Sequence, residues 1–167
     1  TGARAARGPS PPRRGGGGRP AVSDPGHRLV QAAIAADIEI VPLPGPSALL
    51  AALVASGLPT ARFTFLGYPP RKAGELARFL DDVARSTATL ILLESPRRVA
   101  TTLRAAANAF GDGRRACVAR ELTKIHEEFL RGTLGELADA IEQPLRGEVT
   151  LVIEGATGCN AVQLDAA

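Results

Sequence analysis

Charged side chains follow an apolar run in the segment ESPRR, where they could bind an anion. Glu94 ends the run ATLILLE, and Arg97 and Arg98 come shortly after it. A carboxylate at the end of a buried strand is costly unless it has a partner or a task. Two arginines in the first turn of a helix, beside unpaired backbone N–H groups, suit a phosphate. An ion pair between Glu94 and an arginine at the sheet edge explains the residues equally well.

A second charged segment, ARELTKIHEE, begins at the end of another apolar run. Arg120 and Glu121 lie at that run's end, and Lys124 and His126 follow. A functional site at the end of this run is one interpretation of these charges. Charges at this spacing more often form a solvated face, and a single histidine carries little information. The segment is therefore a candidate site with a simple structural alternative.

The turn PLPGPSALLAAL could hold a small ligand. It joins an apolar run to the start of a helix, so backbone N–H groups and the Ser47 hydroxyl lie at a strand's carboxyl end. Ligands bind at that end in open α/β sheets. A rigid turn between two domains, in which Gly45 allows an unusual backbone angle, explains the same residues. The residue types favour neither interpretation.

The loop FLGYPPRKAGE places Arg71 and Lys72 beside an aromatic residue and two prolines. A basic pair near an aromatic ring suits a nucleic-acid backbone and a base. An ordinary surface loop is nearly as good an explanation, so the pair is a candidate nucleic-acid contact.

The basic character of the chain comes from its first residues. The 167 residues carry 20 Lys and Arg against 17 Asp and Glu, with a pI near 9.4. Residues 1–19 hold five of the arginines and no acid, so 15 basic and 17 acidic residues remain beyond them. Any nucleic-acid contact in the folded part must therefore rest on local patches and not on overall charge.

Composition and motifs exclude several classes of protein. Cys117 and Cys159 lie far apart, with no Cys/His cluster, so neither a metal site nor a disulfide framework is expected. The two isolated cysteines favour a reduced, cytoplasmic setting. We find no apolar run of eighteen residues and no signal peptide, so no membrane span is expected. The sequence also lacks a P-loop and the HExxH and GxSxG motifs.

Strand-like and helix-like segments alternate, which predicts an α/β domain built as a three-layer sandwich. We predict helices over 26–36, 44–57, 74–85, 96–110 and 134–142. We predict strands over 38–43, 62–68, 88–94, 115–120 and 148–154, with an irregular section over 121–133.

In this order the motifs PLPGPSA, ESPRR and ARELTK resemble those of the bacterial small-subunit ribosomal RNA ribose methyltransferases. That family belongs to the tetrapyrrole methylase superfamily, and the resemblance covers about residues 20–155. Each motif alone is weak, but the ordered combination is specific.

The resemblance implies methyl transfer from S-adenosylmethionine to the ribose 2′-hydroxyl of a cytidine in the RNA of the 30S subunit. It also implies a homodimer whose cofactor lies in a cleft between two α/β domains. The residues it assigns to the cofactor are Pro44, Gly45, Ser47, Ala48, Leu93, Ala119, Arg120, Glu148 and Thr150.

Catalytic and RNA-binding roles go to the charged residues described above. Glu94 and Glu121 are the carboxylates best placed to act as a general base, and Lys124 could orient the acceptor hydroxyl. The expected RNA contacts are Arg71, Lys72, Arg97 and Arg98.

The resemblance also sets the expected domain boundaries. Family members begin with a complete N-terminal α/β domain carrying an SDAGTP segment, which is missing here, so we expect an N-terminally truncated or frame-shifted chain. Residues 1–19 read as a disordered low-complexity lead-in, although a basic RNA-binding arm is a second interpretation. Residues 20–43 would be a remnant of the N-terminal domain, 44–156 the C-terminal methylase domain and 157–167 a tail.

Two other functions remain open at this stage. A methyltransferase of the same superfamily could act on a corrin or porphyrin precursor, although basic ESPRR and ARELTK segments suit RNA phosphates better than a macrocycle. The chain could also be a non-catalytic fragment.

Overall fold

The structure, a computed structural model, describes residues 26–157, so the expectations for residues 1–25 and 158–167 lie outside it. The chain divides into a first unit that ends at Pro46 and a second that begins at Ser47. Helix α1, Gly26–Ala35, lies in the first unit and has no buried residue. Within the described residues, none of the helices is long and apolar enough to cross a membrane.

The predicted strand over 38–43 is wrong. The structure assigns no strand there, and Ile38, Ile40, Val41 and Leu43 are all exposed. An apolar run becomes a strand when neighbouring strands take up its backbone hydrogen bonds. The strands of the described sheet pair with one another instead.

Over residues 47–157, the second unit contains one five-stranded sheet and four helices. Its strands are β1 (Phe63–Gly67), β2 (Thr89–Glu94), β3 (Arg115–Arg120), β4 (Glu128–Thr133) and β5 (Val149–Ile153). Its helices are α2 (Ala48–Ser56), α3 (Ala73–Asp81), α4 (Val99–Phe110) and α5 (Leu134–Ala140).

The strand order β1-β2-β5-β3-β4 sets which strand ends lie together. Strands β1 and β2 are parallel, and β5 is antiparallel to both of its neighbours, β2 and β3. Strands β1, β2 and β3 therefore run in the same direction. Their carboxyl ends share one edge of the sheet with the amino ends of β4 and β5, which we call the carboxyl edge.

Helices cover both faces of the sheet, which confirms the predicted three-layer α/β architecture. Helices α3, α4 and α5 pack on one face, where Leu80, Leu103 and Leu134 are fully buried with strand residues such as Leu151. Helix α2 packs on the other face through Ala52 and Leu53, against residues of β2, β3 and β5.

Strand β4 was missed, because residues 121–133 were expected to be irregular. Residues 128–133 pair antiparallel with the whole of β3 and form an edge of the sheet. No residue of β4 is fully buried, so its sequence, EFLRGT, carries too weak an apolar pattern to predict a strand. The predicted start of α4 at residue 96 is also early, since residues 95–98 form a turn in which Arg98 N donates to Ser95 O at 2.8 Å.

Leu103 on α4 tests whether this core carries the stability of the fold. Its side chain is fully buried among the three helices and the sheet. Leu103→Ala should lower the free energy of unfolding by about 2–5 kcal/mol, since the cavity adds to the lost apolar burial. Urea unfolding followed by circular dichroism measures this. Thr101→Ala, at an exposed position of the same helix, is the matched control and should change stability by less than about 1 kcal/mol.

Candidate functional site at the carboxyl edge

The strand register brings the predicted cofactor residues Leu93, Thr150 and Ala119 into one row. Leu93 pairs with Thr150, and Thr150 pairs with Ala119 on the next strand. Because side chains alternate along a strand, this row shares the face of Ile91 and Cys117, which is the face that α2 covers. Residues that lie far apart in the sequence therefore form one continuous floor.

Thr150 supplies the polar group of this floor. The residue is only 4% exposed, and its hydroxyl has no hydrogen-bond partner within the described part of the chain. Because none of the buried side-chain polar atoms in residues 26–157 lacks a partner, this hydroxyl must reach the surface of the floor. Ala119 beside it is fully buried, and Leu93 is partly exposed. The floor is thus apolar, with a single hydroxyl available for a ligand.

Helix α2 points its N-terminus at the same edge. Its C-terminal carbonyls accept from two arginines: Arg131 Nη2 donates to Ala55 O at 2.6 Å and Arg115 Nη2 donates to Gly57 O at 3.2 Å. Arg115 begins β3, so this end of α2 lies away from the carboxyl edge. The first turn of α2 consequently faces the row of Leu93, Thr150 and Ala119.

Ser47 caps the start of α2. Its hydroxyl accepts from Leu50 N at 3.5 Å, a long bond, and Ala48 is exposed directly after it. The remaining predicted cofactor residues of this turn, Pro44 and Gly45, are exposed and belong to the first unit.

Glu94 lies on the opposite face of the sheet, and both of its carboxylate oxygens accept hydrogen bonds. Only 3% of it is exposed. Its Oε1 accepts from Ser95 N at 2.7 Å, and its Oε2 accepts from Thr102 Oγ1 at 2.6 Å and lies 3.6 Å from Arg98 Nη2. The ion pair considered from the sequence is therefore present, and it uses Arg98. The burial and these partners describe a structural carboxylate.

The basic residues differ in what they contact. Arg98 also donates from Nη2 to Pro70 O at 2.7 Å, so it joins α4 to the loop that follows β1. Arg97 is exposed and forms no ion pair within residues 26–157. Arg71 and Lys72 are exposed too, and Lys72 lies 3.1 Å from Glu75. Arg71, Lys72 and Arg97 form what we call the basic rim.

A second ionic cluster lies where β3 ends and β5 begins. Lys124 Nζ contacts Glu121 Oε1 at 2.8 Å and Glu148 Oε2 at 3.1 Å. Glu121 Oε1 also accepts from Glu148 N at 2.9 Å. Arg120 at the end of β3 pairs with Glu128 at 2.9 Å. The predicted residues Arg120, Glu121, Lys124 and Glu148 are thus brought together at the carboxyl edge.

The backbone around Glu121 is held in an uncommon conformation. Glu121 has φ 50° and Thr123 has φ 63°, values that are costly for residues with a side chain and that concentrate at functional sites. Gly147, at φ 87°, lies against the Glu121 carboxylate, and a Cβ there would overlap it. No sequence motif marks the role of Gly147, because this role depends on a contact with a residue 26 positions away along the chain.

The cluster shifts the titration of its own members. The hydrogen bond from Lys124 is the main cause that lowers the pKa of Glu121, and the N–H of Glu148 adds to it. The bonds to Glu121 and then to Glu148 raise the pKa of Lys124. Both groups are therefore charged around neutral pH. A carboxylate with a lowered pKa is a weak base, so it suits holding a polar group better than removing a proton.

Comparison with known proteins shows which family the chain resembles. The sequence profile of the tetrapyrrole (corrin/porphyrin) methylases matches residues 13–138. Among relatives, the ribosomal RNA small subunit methyltransferase I of Mycobacterium bovis is 47% identical over 139 residues, covering 83% of this chain and 49% of its own length. The protein of the same name from Mesorhizobium japonicum is 50% identical over 139 residues, covering 81% and 47%. The chain therefore spans about half the length of these relatives.

Solved structures agree on the fold. The methyltransferase CobJ has a TM-score of 0.60 at 23% identity, over 83% of this chain and 62% of its own. Uroporphyrin-III C-methyl transferase from Thermus thermophilus, complexed with S-adenyl homocysteine, has a TM-score of 0.56 at 18% identity, over 81% and 62%. At such identities the likeness shows a shared fold and nothing more about this chain.

The charge cluster predicts how stability varies with pH. Because the folded-state pKa of Glu121 is lowered, its ionised form stabilises the fold above the unfolded pKa, and this is lost as pH falls through the folded value. Because the pKa of Lys124 is raised, its contribution is present below the unfolded pKa and is lost as pH rises through the folded value. Glu121→Gln should therefore lower the melting temperature at neutral pH.

Melting curves of both proteins across the pH range measure this difference. It should shrink in strong acid, where Glu121 of the wild-type chain is protonated, and in strong base. Glu142→Gln, an exposed carboxylate with no ion pair within residues 26–157, is the control. A difference that is constant at all pH values would contradict the assignment.

Proposed function

The chain belongs to the tetrapyrrole (corrin/porphyrin) methylase family, and we propose that it is part of an S-adenosylmethionine-dependent methyltransferase of small-subunit ribosomal RNA. The observation that carries this proposal is the 47–50% identity to proteins named ribosomal RNA small subunit methyltransferase I. The site supports it, because a ligand floor and a basic rim occur at the same edge of one sheet. The finer target is the ribose 2′-hydroxyl of a cytidine.

The cofactor is proposed to rest on the row of Leu93, Thr150 and Ala119, below the N-terminus of α2. The residues fit such a group: the floor is apolar, and the unpartnered Thr150 hydroxyl can bond to one polar atom. Free N–H groups in the first turn of α2, next to Ser47, suit a carboxylate or a ribose oxygen. Support also comes from the structural relative that is complexed with S-adenyl homocysteine.

S-adenosylmethionine, when bound, supplies a methyl group already activated for displacement. The residues of this chain have to align the acceptor hydroxyl and polarise it. We assign this to Lys124 and Glu121, which are exposed or partly exposed and charged at neutral pH. We propose that Glu94 does not contact the substrate. Both of its carboxylate oxygens accept hydrogen bonds from other residues of the protein, so its role is structural.

The RNA backbone is proposed to lie along the basic rim of Arg71, Lys72 and Arg97. These side chains are exposed, and phosphate contacts by such residues provide affinity without reading sequence. Arg120 and Glu148 border the cofactor floor, where Arg120 is held by Glu128 and by Arg146 O. We further propose a cytoplasmic homodimer, supported by the exposed apolar side chains of Leu50 and Val54 on α2.

Methylation of a corrin or porphyrin precursor is the second candidate. It is favoured by the structural relatives, whose names refer to uroporphyrin-III and cobalt precorrin-4. Identity to those proteins is 18–19%, whereas identity to the proteins named for ribosomal RNA is far higher. We therefore prefer RNA as the substrate class.

Thr150→Val tests the cofactor floor. The substitution keeps the shape of the side chain and removes the hydroxyl of the floor, so affinity for S-adenosylmethionine should fall about tenfold, the effect of one lost hydrogen bond to the ligand. Isothermal titration calorimetry measures it. Thr101→Val, an exposed position on α4, is the control and should bind like the wild-type chain. No heat from the wild-type chain at millimolar ligand would instead support a non-catalytic fragment.

Transfer of a labelled methyl group separates the two substrate classes. We expect label in the ribosomal RNA of undermethylated small subunits and none in a uroporphyrinogen substrate. Lys124→Ala should lower the rate by about 10²-fold or more if it orients the acceptor, with cofactor affinity unchanged. Label in the tetrapyrrole alone would overturn the assignment to RNA.

A further inference from the structure

Two neighbouring arginines of the ESPRR segment have different surroundings. The Arg97 side chain is exposed and has no partner among the described residues. The Arg98 side chain is 23% exposed and has three acceptors around its guanidinium group. Nη2 donates to Pro70 O at 2.7 Å and lies 3.6 Å from Glu94 Oε2, while Nη1 donates to Pro69 O at 3.5 Å.

These contacts join three separate parts of the fold. Glu94 ends β2, Arg98 precedes α4, and Pro69 and Pro70 belong to the loop after β1. Proline cannot donate a backbone hydrogen bond, so a loop with two consecutive prolines depends on its carbonyl groups for attachment. Arg98 provides that attachment with a charged donor.

The anchor itself is held rigidly. The Glu94 carboxylate accepts from Ser95 N and Thr102 Oγ1 at 2.7 and 2.6 Å, which fixes its orientation. It offsets the charge of the partly buried guanidinium. The planar fork of arginine reaches two carbonyl groups and a carboxylate together, which a lysine ammonium on a flexible stem does less well.

The consequence falls on the residues that follow the prolines. Pro69 is buried and Pro70 is partly buried, whereas Arg71 and Lys72 directly after them are exposed. Fixing the two proline carbonyls to the start of α4 therefore fixes the direction in which the basic pair leaves the loop, on the same edge as Arg97.

We propose that Arg98 is a positioning residue that shapes the basic rim for RNA, and that it does not itself contact RNA. This replaces the direct RNA contact expected for Arg98 from its sequence, and it rests on the proposed function. Arg97 neutralises an RNA phosphate. Arg98, held by Glu94, fixes the positions of Arg71 and Lys72 in the basic rim.

Lysine substitutions separate the two roles, because they keep the charge. Arg97→Lys should bind small-subunit ribosomal RNA nearly as well as the wild-type chain, while Arg97→Ala should bind less well and with a shallower salt dependence. Arg98→Lys should lose affinity about tenfold, close to the loss in Arg98→Ala, because the charge is retained but the anchor is broken. Filter binding over a salt series measures all four. Arg98→Lys binding as tightly as Arg97→Lys would overturn the proposal.

Hydrogen exchange provides a readout that needs no RNA. The amide of Leu76 donates to Lys72 O at 2.9 Å, so it reports how firmly the basic pair is held. It should exchange faster in both Arg98 variants and at the wild-type rate in both Arg97 variants, with the core strand β2 still protected. An unchanged exchange rate of Leu76 in Arg98→Lys would overturn the inference alone. If the wild-type chain binds no RNA, the proposed function fails and the role in RNA binding with it, whatever the exchange data show.

Discussion

The position of β5 between β2 and β3 is the constraint on which the rest of the structure depends. This strand is the last of those that the structure describes, yet it lies at the centre of the sheet and all five of its residues are buried. It pairs with both neighbours in antiparallel register, which makes β2 and β3 parallel to each other. Their carboxyl ends meet at one edge as a result, and this pairing brings Leu93, Thr150 and Ala119 into one row.

We propose different roles for two carboxylates near this edge, because their surroundings differ. Glu94 is buried on the face covered by α4. Its oxygens accept hydrogen bonds from Ser95 and Thr102 and form an ion pair with Arg98. Glu121 lies in a loop of uncommon backbone conformation and shares Lys124 with Glu148. Burial and full pairing favour a structural role, whereas accessible, strained and charged groups favour contact with a ligand.

The two faces of the sheet also differ in how much apolar surface the helices cover. The face of α3, α4 and α5 carries the large apolar cluster, while the face of α2 carries a smaller one. Helix α2 is held at its C-terminal end by Arg115 and Arg131, and its first turn is left to face the floor around Thr150. In the proposed site, this thinner cover leaves room for a ligand at the carboxyl edge, where ligands bind in α/β folds.

The sequence by itself determined the alternation of helices and strands, the three-layer architecture and, through the ordered motifs PLPGPSA, ESPRR and ARELTK, the family. These features are local, since periodicity and capping depend on neighbours along the chain. The strand over 38–43 and the missed β4 were wrong for a common reason: whether a segment becomes a strand depends on a partner that the sequence does not name. Only the tertiary structure decided that Leu93, Thr150 and Ala119 share a row. It also decided that residue 147 has to be a glycine, because a Cβ there would overlap the Glu121 carboxylate. Finally, it decided that the Arg98 side chain turns inward while that of Arg97 faces solvent. Each depends on contacts between residues distant in the chain, which follow from strand order and register and not from residue type.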